Sequence, residues 1–129
     1  MTRPLAGRER PYLEWFFHQK TANPTVYDSE TIAEYLRIYT APGGLRAGLA
    51  FYRSTALSAQ QNRQLTAKYK LLMPVLGLSA DQGSIPDMAA AIAPFATDIR
   101  GETITNCGHF QPEEQPLAVA ERLTSFFGG

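Results

Sequence analysis

Apolar positions over the first seventy residues recur at helical spacing. Tyr12, Leu13, Trp15, Phe16 and Phe17 predict a short aromatic helix over 11–20, broken by Asn23-Pro24. Asp28 and Ser29 offer N-caps to a second helix. There Ile32, Tyr35, Leu36 and Tyr39 share one face and Glu30, Glu34 and Arg37 the other. Pro42-Gly43-Gly44 stops it. Leu45, Leu49 and Tyr52 predict a third helix over 45–54, and the capping box Ser58-x-x-Gln61 predicts a fourth, to about residue 69.

Beyond residue 72 the pattern becomes β-α-β-α. The continuous apolar run from Met73 to Leu78 predicts a parallel strand buried on both faces. Ser84-x-x-Asp87 predicts the cap of a helix carrying Met88, Ala89, Ala90, Ala91 and Ile92, which Pro94 ends. Alternation from Ile99 to Thr105 predicts a second strand. Pro112 opens a last helix, with Glu113 and Glu114 matched to its positive end. Leu117, Ala120, Leu123 and Phe127 form its expected apolar face, and Gly128 stops it. The expected division is a helical block over 1–71 and an α/β block over 72–129. Two parallel strands are too few for an independent sheet, so the second block reads as the end of a larger one.

Composition narrows the function classes. Hydrophobic residues make up 44% of the 129, and 12 Lys and Arg balance 12 Asp and Glu. Such a chain is globular, and it lacks the basic footprint of a nucleic-acid binder. No apolar stretch approaches the roughly 20 residues of a membrane span. Three arginines fall within residues 1–10 without a following apolar region, so no signal peptide is read there. The lone Cys107 excludes an internal disulfide and a cysteine-built zinc site, and it fits a reducing, cytoplasmic setting. No cofactor or metal is expected: Glu113 and Glu114 lack partner ligands.

The chemistry concentrates in Asn106-Cys107-Gly108-His109-Phe110, between the second strand and the last helix. Open α/β sheets hold catalytic groups just beyond the carboxyl ends of their strands. An imidazole, ordinarily titrating near 6.5, can take a proton from water there. Against this stands a loop histidine that merely makes one backbone hydrogen bond. Cys107 shares a face with His109, which allows a thiolate–imidazole pair or a small buried cysteine. His18 reads as a surface residue of the aromatic helix.

Taken together, the Met73–Leu78 strand, Cys107-Gly108-His109-Phe110, Glu113-Glu114-x-Pro116 and Phe126-Phe127 resemble the C-terminal end of epoxide-hydrolase-like α/β-hydrolases, relatives of the haloacid and haloalkane dehalogenases. Gly7-Arg8-Glu9-Arg10 with Leu13-Glu14-x-Phe16-Phe17 resembles the start of their helical cap, and Leu45-Arg46-Ala47 through Phe51-Tyr52-Arg53 its end. The implied fold class is α/β: a cap segment followed by the last β-α-β-α part of the sheet. The implied mechanism attacks an oxirane with an aspartate and hydrolyses the resulting ester with water activated by a histidine. The resemblance assigns that base to His109 and a ring-opening phenol to Tyr52, which would otherwise read as a helix aromatic.

Asp81 follows the first strand, where many of these relatives carry the acid that orients the histidine. Aligned on Pro74, however, that position falls at Gly83. Asp81 therefore stands as orienting acid, loop carboxylate or helix cap. Ser79-Ala80-Asp81-Gln82-Gly83 also has the small-x-nucleophile-x-small form of an elbow. No G-x-S-x-G, H-G-G-G or G-x-D-x-G occurs in the sequence. The expectation is a fragment that carries the base and one phenol but no nucleophile. Its substrate in the complete enzyme is a small hydrophobic epoxide or organohalide. A homodimer or a companion N-terminal chain is its expected partner. The alternatives are a non-catalytic remnant or interaction module, and a self-sufficient hydrolase built on Asp81 or Cys107.

Overall fold

The computed structural model describes residues 5 and 7–128. Arg3, the first of the N-terminal arginines, lies outside them. Six helices and two strands follow in the order α1 (Glu9–Lys20), α2 (Ser29–Tyr39), α3 (Gly44–Thr66), β1 (Val75–Ala80), α4 (Met88–Ile92), β2 (Ile99–Ile104), α5 (Gln111–Glu114) and α6 (Pro116–Phe127). A 3-10 turn, Pro24–Val26, lies between α1 and α2. The chain divides into two compact units, one of residues 1–19 and 27–64, the other of residues 20–26 and 65–129.

The first unit is helical. Leu13, Phe17, Ile32 and Leu45 are its buried apolar side chains. Phe17 stacks on Tyr27 with ring centroids 4.1 Å apart and meets Tyr35 at 5.0 Å, so the aromatic crowding of α1 is core packing. Asp28 caps α2, its Oδ1 accepting the Thr31 N–H at 2.8 Å. That bond holds the Asp28 carboxyl below its usual range. The two helices expected over 45–69 are one. α3 runs for 23 residues without a break at Ser58. No Gly or Pro interrupts 49–66, and the Ser54 and Thr55 hydroxyls donate back to the Phe51 carbonyl at 2.9 and 3.3 Å. The hydroxyls thus serve the helix, and a lone Ser-x-x-Gln pair cannot outweigh good helix formers on both sides.

In the second unit β1 and β2 pair in parallel, Val75 opposite Ile99 through Ala80 opposite Ile104. β1 begins two residues later than the apolar run, with the Val75 N–H bonded to the Asp98 carbonyl at 2.9 Å; ahead of it Leu71 pairs with Ala96 as an isolated parallel bridge. Met73, which the sequence pattern includes in the strand, is exposed, as is Leu72 before it. Gly77 and Gly101 face each other in the register and form the seat of α4. A Cβ at Gly101 would stand 2.6 Å from the Ala89 Cβ. α4 is capped by Asp87, whose Oδ1 accepts the Ala90 N–H at 2.9 Å, and Ser84 plays no part in that cap. The Ser79 hydroxyl takes the Met88 N–H at 2.8 Å and anchors α4 to β1.

The expected last helix is two. Pro116 restricts Gln115, which leaves the helical region at φ −138°, ψ 58°, and a new helix starts after it. The restart sets a different inner face. Ala118 and Val119 pack on Ala80, Ile104 and Cys107, while Leu117 and Phe127 are exposed. Glu102 of β2 joins Arg122 of α6 at 3.1 Å and Arg100 at 2.7 Å. No helix among the described residues is long and apolar enough to cross a membrane.

Candidate active site

The segment after β2 turns sharply at Asn106, the one non-glycine with positive φ among the described residues (52°). Asparagine tolerates that conformation better than most residues. The turn carries the chain back across the carboxyl end of β1 and into α5. Every backbone N–H from residue 106 to 110 then finds an acceptor. Asn106 and Cys107 donate to the two carboxylate oxygens of Asp81, at 2.8 and 3.0 Å. Gly108 and Phe110 donate to the two oxygens of Glu114, at 2.9 and 3.1 Å. His109 donates to the Lys20 carbonyl at 2.7 Å.

His109 leaves this held backbone into solvent. Its ring makes an edge contact with Phe110, centroids 5.0 Å apart, and no carboxylate of the described residues hydrogen-bonds it. Beside it lies an open cleft of about 160 Å³, walled mainly by Leu78, Ala80, Ile85 and Met88, with Gln111 at its rim. Gln111 donates to the Leu78 carbonyl at 3.2 Å. The cleft is apolar with one imidazole at its mouth, which suits a small hydrophobic molecule.

Asp81 lies next to the histidine loop, yet both its oxygens are occupied by backbone donors. The Cys107 and Asn106 N–H groups hold its carboxyl below the usual range. It therefore braces the loop. Cys107 is fully buried, and burial, together with the negative charges of Glu114 and Asp81, pushes its thiol up to about 11. Thiolate is scarce at neutral pH under those conditions, so the cysteine packs and does not attack.

Tyr52 belongs to the first unit. It is 60% exposed on α3 and makes an edge contact with Phe51, centroids 6.4 Å apart. Burial, reinforced by Tyr52 and Tyr39, raises the pKa of Tyr12, so three phenols from α1, α2 and α3 interact. Among the described residues no group of three or more His, Cys, Asp or Glu side chains gathers to hold a metal.

Two participants were not legible as such. In the sequence Glu114 is a dipole partner for its helix, Lys20 a helix end, and Thr21 and Ala22 carry no signal. Glu114 reaches the loop from a few positions downstream, whereas the 20–22 segment meets it from far along the chain: the Lys20 carbonyl accepts from His109 at 2.7 Å, and Ala22 donates to Glu114 Oε2 at 2.7 Å over 92 positions. The visible hint was Gly108. A Cβ there would collide with the Lys20 carbonyl and approach Ala22 N to 2.7 Å and Thr21 Cα to 2.8 Å, so glycine is needed where two backbones cross.

A parallel-strand unit whose strand–loop–helix end presents a histidine over an apolar cleft is an arrangement found in α/β-hydrolases. No family model matches the chain. It is 34% identical over 105 residues, 81% of its length, to the soluble epoxide hydrolase of Corynebacterium sp. (strain C12), of which it covers 36%. The solved structure of Cfl2 from Burkholderia cenocepacia is 54% identical with a TM-score of 0.93, covering 97% of this chain and 42% of that one. The solved epoxide hydrolase CorEH is 31% identical with a TM-score of 0.86, covering 98% and 45%. The chain is thus an epoxide-hydrolase-like member of the α/β-hydrolase superfamily, and it spans less than half the length of these relatives.

Proposed function

We propose that this chain is the C-terminal part of an epoxide-hydrolase-type enzyme, with residues 1–71 its cap segment and residues 72–129 the end of its core. In this reading His109 is the general base and Tyr52 the ring-opening donor. The attacking carboxylate stands on polypeptide outside these 129 residues. Asp81 braces the base through its loop and does not orient the imidazole directly. The carboxylate that does so is supplied, like the nucleophile, by that other polypeptide.

The chemistry follows from what each group can do. An oxirane oxygen leaves poorly until a donor meets the developing alkoxide, and a phenol can donate there. The carboxylate forms a carbon–oxygen bond as the ring bond breaks, which leaves an ester. The imidazole then takes a proton from water, and the hydroxide attacks the ester carbonyl to release the diol. The observation that carries the reading is His109, exposed at the mouth of an apolar cleft on a loop whose every N–H is tied. The substrate is accordingly a small hydrophobic epoxide. A cytoplasmic setting agrees with a buried, unpaired Cys107.

β1 supports the need for a partner. Val75 and Asp81 direct their N–H groups at β2, so the alternate residues Leu76, Leu78 and Ala80 turn theirs to the opposite edge. Leu72 and Met73, ahead of β1 in the chain, are exposed, as is Leu117 of α6. Such an edge recruits another strand, from a companion chain or a second copy.

The test is hydrolysis of a hydrophobic epoxide and of an organohalide by the chain alone, and by the chain mixed with a polypeptide carrying a strand–G-x-D-x-G–helix segment. The expected result is silence alone and epoxide turnover in the mixture, lost in His109→Ala and reduced at least about a hundredfold in Tyr52→Phe. Halide release alone would make the enzyme a dehalogenase. Turnover by the isolated chain that persists in His109→Ala would refute the reading, and silence in every mixture would leave a non-catalytic module.

A further inference from the structure

We infer that Glu114 is a positioning residue: its buried carboxylate fixes the peptide groups on both sides of His109 and so sets the direction in which the imidazole leaves the chain. The consequence for catalysis rests on His109 being the base; the clamp itself does not.

Glu114 closes α5 and is 8% exposed. A carboxylate so placed is costly unless its lone pairs are met by donors. Among the described residues it forms no ion pair with Lys, Arg or His. Its partners are three backbone N–H groups. Oε2 accepts from Ala22 at 2.7 Å and Gly108 at 2.9 Å, and Oε1 accepts from Phe110 at 3.1 Å. Charge-assisted bonds of this kind are roughly twice as strong as neutral ones. Gly108 and Phe110 are the residues on either side of His109. The histidine's own N–H is drawn instead to the Lys20 carbonyl at 2.7 Å, and Lys20 lies two residues from Ala22. One carboxylate therefore joins the loop to the 20–22 segment, which in turn holds the middle peptide.

The geometry has a functional logic. The loop is neither helix nor strand, so no ladder satisfies its N–H groups, and without side-chain acceptors the backbone would sample other conformations. With the peptide groups on both sides of residue 109 held, the imidazole retains only its two side-chain torsions. A proton acceptor has to sit within about half an ångström of its productive place. Asp81 performs the same service one step upstream, for Asn106 and Cys107. Two carboxylates thus hold four of five consecutive N–H groups. Neither needs to touch the imidazole to govern where it stands.

The test uses the full chain and NMR, with Glu114→Gln and, should that variant not fold, Asp81→Asn. Glutamine keeps the size but loses the charge and one acceptor. Amide exchange at Ala22, Gly108 and Phe110 is expected to quicken at least about tenfold, while β1 and β2 amides stay protected. The His109 ring signals should shift and broaden, with His18 as the unmoved internal reference. Asp81→Asn should do the same at Asn106 and Cys107. Unchanged exchange in the folded variants would overturn the inference. So would uniform loosening of the whole unit with unaltered His109 signals, because that is what a merely stabilising carboxylate would give. None of these readouts requires turnover, so failure of the clamp and failure of His109 as base are told apart.

Discussion

Gly108→Ala places one methyl group where two backbones cross. Gly108 does not occupy the left-handed region, so the cost is steric. The new Cβ would collide with the Lys20 carbonyl and stand 2.7 Å from Ala22 N and 2.8 Å from Thr21 Cα, all main-chain atoms that cannot swing aside as a side chain could. Overpacking of this kind costs about 1–3 kcal/mol. The 20–22 segment must move outward, which stretches the His109 bond to Lys20 and the Ala22 bond to Glu114, both 2.7 Å. Weakening one neutral and one charge-assisted bond adds about 1–3 kcal/mol. Alanine restricts the unfolded chain and returns about 0.4–1 kcal/mol. The net loss is about 1–5.5 kcal/mol. In a unit of this size each kcal/mol lowers Tm by about 4–8 °C, so the melt followed by far-UV circular dichroism should fall by at least about 4 °C. Exchange of the His109 N–H should quicken in step. A variant melting within about 3 °C of the parent, with that N–H still protected, would refute the crossing as a constraint.

Other measurements follow from the same geometry. Iodoacetamide should label native Cys107 at pH 8 at least about a hundredfold more slowly than a free thiol, and an equal rate would contradict its burial. Because the folded thiol is pushed from 9.0 up to about 11, its contribution to stability is intact below pH 9 and is lost as the pH rises toward 11. Cys107→Ala should flatten that alkaline decline in a denaturation series. The Asp81 carboxyl is held below its ordinary 3.8, so its support is present above that value and fades as acid protonates the folded form. Protection of the Asn106 and Cys107 amides should fade with it, and acid-independent protection would speak against the bond. Gly101→Ala should cost about 1–3 kcal/mol by pressing on Ala89, and Ala89→Gly in the same chain should recover part of it despite the helix penalty. Strictly additive losses in the double variant would show that the two sites do not touch.

Much was written in the order of residues. Asp28 caps α2, Pro42-Gly43-Gly44 separates two helices, and the run after Pro74 is a strand, because caps, breakers and Pro act over a few neighbouring positions. The histidine between a strand and a helix was legible too, since its place follows from element order alone. Other features were settled by contacts that have no local signature. α3 absorbs its internal capping box because neighbouring helix formers outvote it. α6 turns Ala118 and Val119 inward and leaves Leu117 and Phe127 outside, because Pro116 restarts the helical phase. Asp81 and Glu114 looked like a candidate acid and a dipole partner. Asp81 in fact holds an N–H 25 positions away, at Asn106, and Glu114 ties the Gly108 N–H beside His109 to that of Ala22, 92 positions away; only the folded chain brings these groups within 3 Å. Residue type gives a carboxylate its charge and its lone pairs; which donors meet them is decided by where the backbone passes.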